Sequence, residues 1–306
     1  MDIHFDNVNL SSNNGPNSFA GKLAKYIVAS GNSLTSLQDA DVSLTFIETH
    51  RLWFSKKPFA QRLDGIYFNT RQDYRTQNSN IKKTHDRASG VVYQTQFNKE
   101  LITRYFGEHK NSVIINNGAD LETINSTQPL KSEVFDKYDK VWCCASNWRP
   151  HKRLNDNIEY FLQHAGANDL MLVGGDVSDL DVIRDQKVKY LGSLQQNQLF
   201  SIYKACDNFI HLAWLDHCPN VVVDARAAGC KIICSDSGGT KEIAGHNATL
   251  LKESVEWAFN PIALYSPPDL DFSRTVQNTI ASSIEIETVA EKYLNVFSET
   301  IKRVQK

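Results

Sequence analysis

The stretch from Ile210 to Ile243, IHLAWLDHCPNVVVDARAAGCKIICSDSGGTKEI, leaves few architectures open. The apolar run Phe209–Leu215 reads as a strand and ends in the turn-forming Asp216-His217-Cys218-Pro219-Asn220. Val221–Ala228 has helical character and stops at Gly229, a residue suited to the left-handed conformation that closes helices. A second strand, Lys231–Cys234, leads through Asp236-Ser237-Gly238-Gly239-Thr240 to a helix that begins near Lys241. Helix N-termini reached through small or glycine-containing turns direct unpaired N–H groups at one place, which suits phosphate. Asp216 and Asp224 stand eight residues apart, one before the helix and one inside it.

The same alternation runs through the rest of the chain. Strands are expected over 1–9, 42–47, 62–68, 90–93 and 113–115, and helices over 19–29, 80–89 and 96–106. Between the first strand and first helix lies the turn-forming run Ser11–Ser18, with Gly15 inside it. Residues 123–137 are polar and contain Pro129, the best candidate for a linker. The pattern then restarts with a strand over 140–145, the basic loop Ser146-Asn147-Trp148-Arg149-Pro150-His151-Lys152-Arg153 and a helix over 154–164. A strand over 170–173 meets Gly174-Gly175-Asp176, another over 188–191 meets Gly192, and a helix follows over 195–205. Residues 250–273 are expected to be irregular, and an amphipathic helix over 286–304 closes the sequence. Strands alternating with helices predict an α/β protein with parallel sheets.

Composition narrows the function. The 306 residues suit two domains, and a net charge of −2 gives no general attraction to nucleic acid or anionic membrane. No apolar run approaches the roughly 20 residues of a membrane-spanning helix and the N-terminus is unlike a signal peptide, so a cytoplasmic protein is expected. The six cysteines form no CxxC pair and no metal-ligand spacing with histidine. Four lie in strand-like runs and Cys206 in a predicted helix, while Cys218, in the loop after Asp216, reads as a loop-filling residue before a catalytic thiol. A dinucleotide-binding dehydrogenase is excluded by the lack of GxGxxG after a strand, and a Walker-type NTPase by the lack of GxxxxGK[ST].

Four pieces together resemble the family 4 retaining glycosyltransferases of group 1 type, most strongly over 138–245. Lys152 in the basic loop matches the family's phosphate-neutralising lysine; Ser146 stands at the usual arginine position, and Arg149 is the nearest substitute. Leu172-Val173-Gly174-Gly175-Asp176 is similar to the family's strand ending in Gly-Gly. Tyr190-Leu191-Gly192 with the helix behind it resembles the segment whose backbone holds the base. Asp216 and Asp224 match the spacing of the Glu-x7-Glu signature, with aspartate at both positions, and Gly238-Gly239 with Glu242 resembles the segment that trails it. Vicinal hydroxyls are paired donors that one carboxylate can accept together.

The resemblance implies a GT-B fold, two Rossmann-like domains with parallel sheets facing a central cleft. Residues 1–125 would form the acceptor-side domain (short for the family), 126–137 the linker and 138–280 the nucleotide-sugar domain, with 281–306 crossing back to the first. It implies a metal-independent transferase without cofactor, whose donor is a nucleoside diphosphate sugar and whose acceptor is a glycan or a lipid-linked glycan, the latter with peripheral attachment to the inner membrane surface. The implied catalytic residues are Asp64, Arg149, Lys152 and Asp216; His50 and His85 compete with Asp64. The implied donor-binding set adds Gly15, Gly174, Leu191, His217, Cys218, Pro219, Asn220, Val221 and Asp224. Asp216 would hold the sugar and Asp224 the ribose. A sugar-nucleotide epimerase and a non-catalytic nucleotide-sugar binding module stay open as alternatives. A modified-DNA acceptor is a weaker one: residues 1–130 carry 14 Lys+Arg against 12 Asp+Glu, and Arg51–Lys57 mixes aromatic and basic types.

Overall fold

The structure, a computed structural model, describes residues 1–12, 15–50, 57–130 and 135–305. The basic-aromatic run Arg51–Lys57, apart from Lys57, lies outside the described residues, as do Asn13, Asn14 and residues 131–134 of the expected linker. The chain forms two compact units, Met1–Gly118 with Ala258–Ile262 and Ser283–Lys306, and Ala119–Trp257 with Ala263–Ser282.

In the first unit the chain runs β1 (Asp2–Asp6), α1 (Gly15–Ala29), β2 (Ser33–Leu34), β3 (Val42–Phe46), β4 (Phe59–Leu63), α2 (Tyr74–Arg87), β5 (Gly90–Tyr93), α3 (Gln96–Phe106) and β6 (Ser112–Ile114). The strands form one parallel sheet in the order β2-β1-β3-β4-β5-β6. Strands such as β3 and β5 are buried along their whole length, which is why they read as continuous apolar runs without alternation. The C-terminal helix Ile286–Val304 belongs to this unit. Its Ile286, Val289, Tyr293 and Phe297 join Phe19, Leu23 and Ile27 of α1 and Val42, Leu44 and Phe46 of β3 in one core. Gly118 is required there, because a Cβ would stand 2.8 Å from Ile286 Cα.

The second unit runs α4 (Leu121–Ser126), β7 (Val141–Ala145), a 3-10 turn at Pro150–Lys152, α5 (Leu154–His164), β8 (Leu170–Gly174), β9 (Val188–Gly192), α6 (Gln196–Tyr203), β10 (Asn208–His211), α7 (Asn220–Ala227), β11 (Lys231–Ser235), α8 (Thr240–Ile243), β12 (Thr249–Glu253) and β13 (Leu270–Gln277). Its sheet has the order β13-β12-β11-β10-β7-β8-β9, parallel except for the antiparallel β12–β13 pair. The chain thus builds outward from β7 through β8 and β9, then returns to place β10 on the other side of β7. The loops after β7 and β10 diverge at the carboxyl edge, and such switch points are where open α/β sheets bind ligands.

Three expectations need correction. Residues 250–273 are not irregular throughout, since they contribute β12 and the start of β13. The edge strand β13 is exposed along most of its length, but Leu270, Phe272 and Val276 alternate with Asp271, Ser273, Thr275 and Gln277, a period-two pattern that the reading as irregular chain overlooked. The strand expected over 62–68 is β4, which ends at Leu63; Ile66 and Phe68 are buried without belonging to a strand. The segment 119–130 groups with the second unit. Lys204 Nζ donates to the carbonyls of Ile124, Asn125 and Thr127 at 3.1, 3.0 and 2.6 Å, and Leu130 N–H donates to Ser201 O. Cys206 follows α6 in a turn; all six cysteines are free and buried. Among the described residues no helix is long and apolar enough to cross a membrane.

Phe297 is completely buried although it lies far along the chain from the sheet it covers. Phe297→Ala is expected to destabilise the first unit by about 3–5 kcal/mol through lost burial and a cavity. Urea unfolding followed by tryptophan-independent circular dichroism measures this; a loss below 1 kcal/mol would show that the helix is not part of that core.

Candidate active site

Lys152 and Asp216 meet at the switch point of the second sheet. Lys152 Nζ donates to Asp216 Oδ2 at 2.5 Å, His211 Nε2 shares a hydrogen bond with the same oxygen at 2.8 Å, and His217 N–H donates to Oδ1 at 3.0 Å. Lys152 comes from the loop after β7, His211 from the last residue of β10, and Asp216 and His217 from the loop after it. Burial works against a charge on Asp216, but Lys152 and the His211 hydrogen bond outweigh it and hold the carboxyl well below the usual range. Asp216 is therefore ionised and can only accept, which puts the proton of its bond with the ring on His211 Nε2.

The backbone of Asp216 is fixed from the opposite side. Gly239 N–H donates to Asp216 O at 2.8 Å. Gly238 has φ +68°, and a Cβ on it would lie 2.4 Å from Asp216 O and 2.8 Å from Asp216 N. Only glycine combines that conformation with that approach. Leu215, at φ +55°, donates its N–H to Ser237 Oγ, so the two loops are joined on both sides of the acidic residue.

Beneath them sits Arg153. It takes the left-handed conformation at φ +53° between the 3-10 turn and α5, which turns the chain sharply just after Lys152. Its buried guanidinium makes a bidentate pair with Glu253 at the end of β12, at 2.7 and 3.0 Å, and donates to Pro268 O and Leu212 O. Glu253 also accepts from Ser235 Oγ, which is bonded in turn to Ser237 Oγ. Asn157 Nδ2 donates to Lys152 O while its Oδ1 accepts Leu212 N–H, and Trp214 N–H donates to His151 O. The loops after β7, β10 and β11 are thereby one hydrogen-bonded body.

The other expected residues are placed as follows. Arg149 is exposed on the same loop. Trp148 Nε1 donates to Gly174 O at 2.9 Å, and Gly175, at φ +107°, has no room for a Cβ beside Ser146 O and the Trp148 indole. Leu191 is 36% exposed near the end of β9. Cys218 and Pro219 are buried, and Pro219 accepts from Val222 N–H as α7 begins. Pro219 has no N–H to offer a ligand; the amides at the start of α7 belong to Asn220 and Val221. Asp224 is 6% exposed, inside α7.

Gly15 and Asp64 belong to the first unit. Gly15 is the first residue of α1. Asp64 follows β4 and shares its Oδ1 between Arg62, whose guanidinium is buried, and Gln94 Nε2 at 2.5 Å. Arg62 also donates to Asn117 Oδ1 and lies 4.1 Å from the Phe19 ring centroid. His50 is exposed at the end of the segment after β3. His85 is a core residue, bonded through Nε2 to the Tyr93 hydroxyl and held near pKa 4 by burial and the neighbouring His109.

Sequence reasoning missed His211, Arg153 and Glu253. His211 had a visible signal, a lone titratable residue inside an apolar strand run. Arg153 and Glu253 had none, since their pairing spans 100 residues and neither motif position marks it.

Two measurements probe this arrangement. Arg153→Met would leave Glu253 buried without its partner and is expected to cost about 3–5 kcal/mol, with recovery on adding Glu253→Leu. A single-variant loss under 1 kcal/mol would show that the pair is not structural. Burial depresses His151 to about 3 and His217 to about 4, so both are neutral in the folded protein while the unfolded chain protonates below about 6.5. Stability should be complete above pH 6.5 and fall as pH drops from there towards 4; a thermal midpoint constant across that window would exclude buried neutral rings.

Residues 128–258 match the family profile described as Glycosyl transferases group 1, a span that includes Lys152, Asp216 and Asp224. A search of curated proteins gives no match. Among solved structures, HepE from Anabaena in complex with UDP and glucose is similar at a TM-score of 0.68 and 16% identity, covering 97% of this chain and 99% of HepE. Sucrose-phosphate synthase from Thermosynechococcus elongatus gives 0.63 at 12% identity over 100% and 94% of the two chains. WaaG, a glycosyltransferase involved in lipopolysaccharide biosynthesis, gives 0.61 at 12% identity over 100% and 93%. The chain thus has the GT-B glycosyltransferase fold, and its second unit carries the match to the group 1 glycosyl transferases.

Proposed function

We propose that the protein is a glycosyltransferase that moves a sugar from a nucleoside diphosphate sugar to an acceptor, with retention of configuration and without a metal ion. The observation that carries the reading is the Lys152–Asp216 pair, which lies at the switch point of the second sheet and inside the span that matches the group 1 family. A lysine beside a carboxylate offers an anionic phosphate and a hydroxyl-rich sugar their two complementary groups at one place. HepE is known in complex with UDP-glucose, which makes UDP-sugars the first donors to try.

On this reading Lys152 and the exposed Arg149 stabilise the charge that develops on the departing diphosphate. The amides of Asn220 and Val221 at the start of α7, and the α1 N-terminus at Gly15, add positive potential. Asp216 accepts the hydroxyls of the transferred sugar and Asp224 those of the ribose. Gly174, Leu191, His217 and Cys218 line the donor. Asp64, oriented by Arg62 and Gln94, acts nearest the transferred carbon. No cofactor is needed. The acceptor is a glycan or a lipid-linked glycan at the inner membrane surface, a reading that WaaG's part in lipopolysaccharide biosynthesis supports.

A thermal-shift screen against UDP, GDP, ADP and their sugars identifies the donor, because a ligand that binds only the folded state raises the apparent stability. Nucleoside diphosphate released in step with glycosylated acceptor supports the transferase, an epimerised donor the epimerase, and binding without turnover a binding module. Lys152→Ala is expected to lower kcat by about 10²-fold or more; near-wild-type turnover removes its assigned role. Asp224→Asn should weaken the nucleoside diphosphate itself, so calorimetry showing unchanged affinity would count against a ribose contact.

A further inference from the structure

Asp216 Oδ2 takes two donors at once, and the two differ mechanically. His211 closes β10, a strand with a hydrogen-bonded neighbour on each side, β7 and β11. Its ring is 3% exposed and lies nearly parallel to the Phe209 ring, with centroids 6.4 Å apart. Lys152 stands at the end of a 3-10 turn, its ammonium on a flexible four-carbon stem and its side chain 17% exposed. One donor is part of the sheet; the other can leave.

That difference matters if a diphosphate binds here. The anion competes with Asp216 for Lys152, and Asp216 then keeps only the His211 bond on Oδ2 and the His217 amide on Oδ1. A largely buried carboxylate short of partners changes rotamer or takes up a proton. We propose that His211 is a positioning residue, which holds Asp216 in place while Lys152 is handed from the carboxylate to an anionic ligand. One lysine can then neutralise the diphosphate without releasing the carboxylate that faces the sugar. This inference rests on the functional reading above, and its test separates the two.

The probes are UDP and UDP-glucose, and the proteins are the full chain, His211→Phe and His211→Gln. Glutamine can place an N–H close to where Nε2 carries one, while phenylalanine fills the space without a donor. In the Phe variant the UDP affinity is expected to stay within about twofold, while UDP-glucose weakens by about tenfold or more and donor turnover falls with it. The Gln variant should recover most of the loss, which a purely structural role for the ring would not give. Equal weakening of UDP and UDP-glucose, no weakening of either, or a Gln variant as impaired as Phe overturns the proposal. Should the Phe variant fail to fold, imidazole 15N spectra of the unmutated protein decide. His211 should keep a protonated Nε2 before and after UDP is added, and its loss on binding overturns the inference. An unmutated protein that binds none of the nucleotides overturns the functional reading itself, and this inference with it.

Discussion

The buried Arg153–Glu253 pair is what the carboxyl edge of the second sheet depends on. An isolated charge at either position would be costly, so neither residue can be displaced without the other. The bidentate geometry fixes direction as well as distance. A left-handed arginine costs roughly 1–2 kcal/mol, a strain that the surrounding bonds tolerate because the turn it makes sets where Lys152 stands. From Glu253 the order passes through Ser235 and Ser237 to Leu215, and so to the residue before Asp216. Lys152 and Asp216 are thus tied to a single ion pair beneath them.

Most of the frame was legible in the sequence. The strand 90–93 and the helices 96–106, 154–164 and 286–304 coincide with β5, α3, α5 and the C-terminal helix, because apolar periodicity and glycine stops are local signals. The α/β class with parallel sheets followed from alternation, and the GT-B fold from the family resemblance. Two elements escaped, one with a weak local signal and one with none. The strand β13 has an apolar face interrupted by Arg274 and is largely exposed, and the left-handed turn at Arg153 occurs at a residue type that rarely adopts it. The basic loop and the acidic loop could each be read from the sequence. Their hydrogen bond could not, since it depends on β10 returning to the side of β7, a property of topology and not of any motif.

The first unit shows a related economy. Arg62 is buried among Phe19 and Phe46 and satisfies its charge on Asp64 and Asn117. An arginine in that position converts the end of β4 from an apolar strand terminus into a fixed carboxylate, with Gln94, just after the adjacent β5, completing the hold. The family resemblance pointed to Asp64 after a strand, but its two partners are supplied by separate segments. The orientation of this carboxylate therefore depends on the packing of α1 and β3 behind Arg62 as much as on its own loop.

Aspartate at 216, one methylene shorter than the glutamate of the family signature, has a physical reason in this structure. The backbone cannot shift to accommodate a longer side chain, because Gly238 packs against Asp216 N and O and Gly239 bonds the same carbonyl. Side-chain length alone then decides where the carboxylate sits. Glutamate would add one C–C bond of about 1.5 Å and one more rotatable torsion between the main chain and the carboxylate. His211 is held by the sheet and cannot follow. Aspartate and His211 therefore form one unit, a short acid with few torsions bonded at 2.8 Å to a histidine fixed at the strand end.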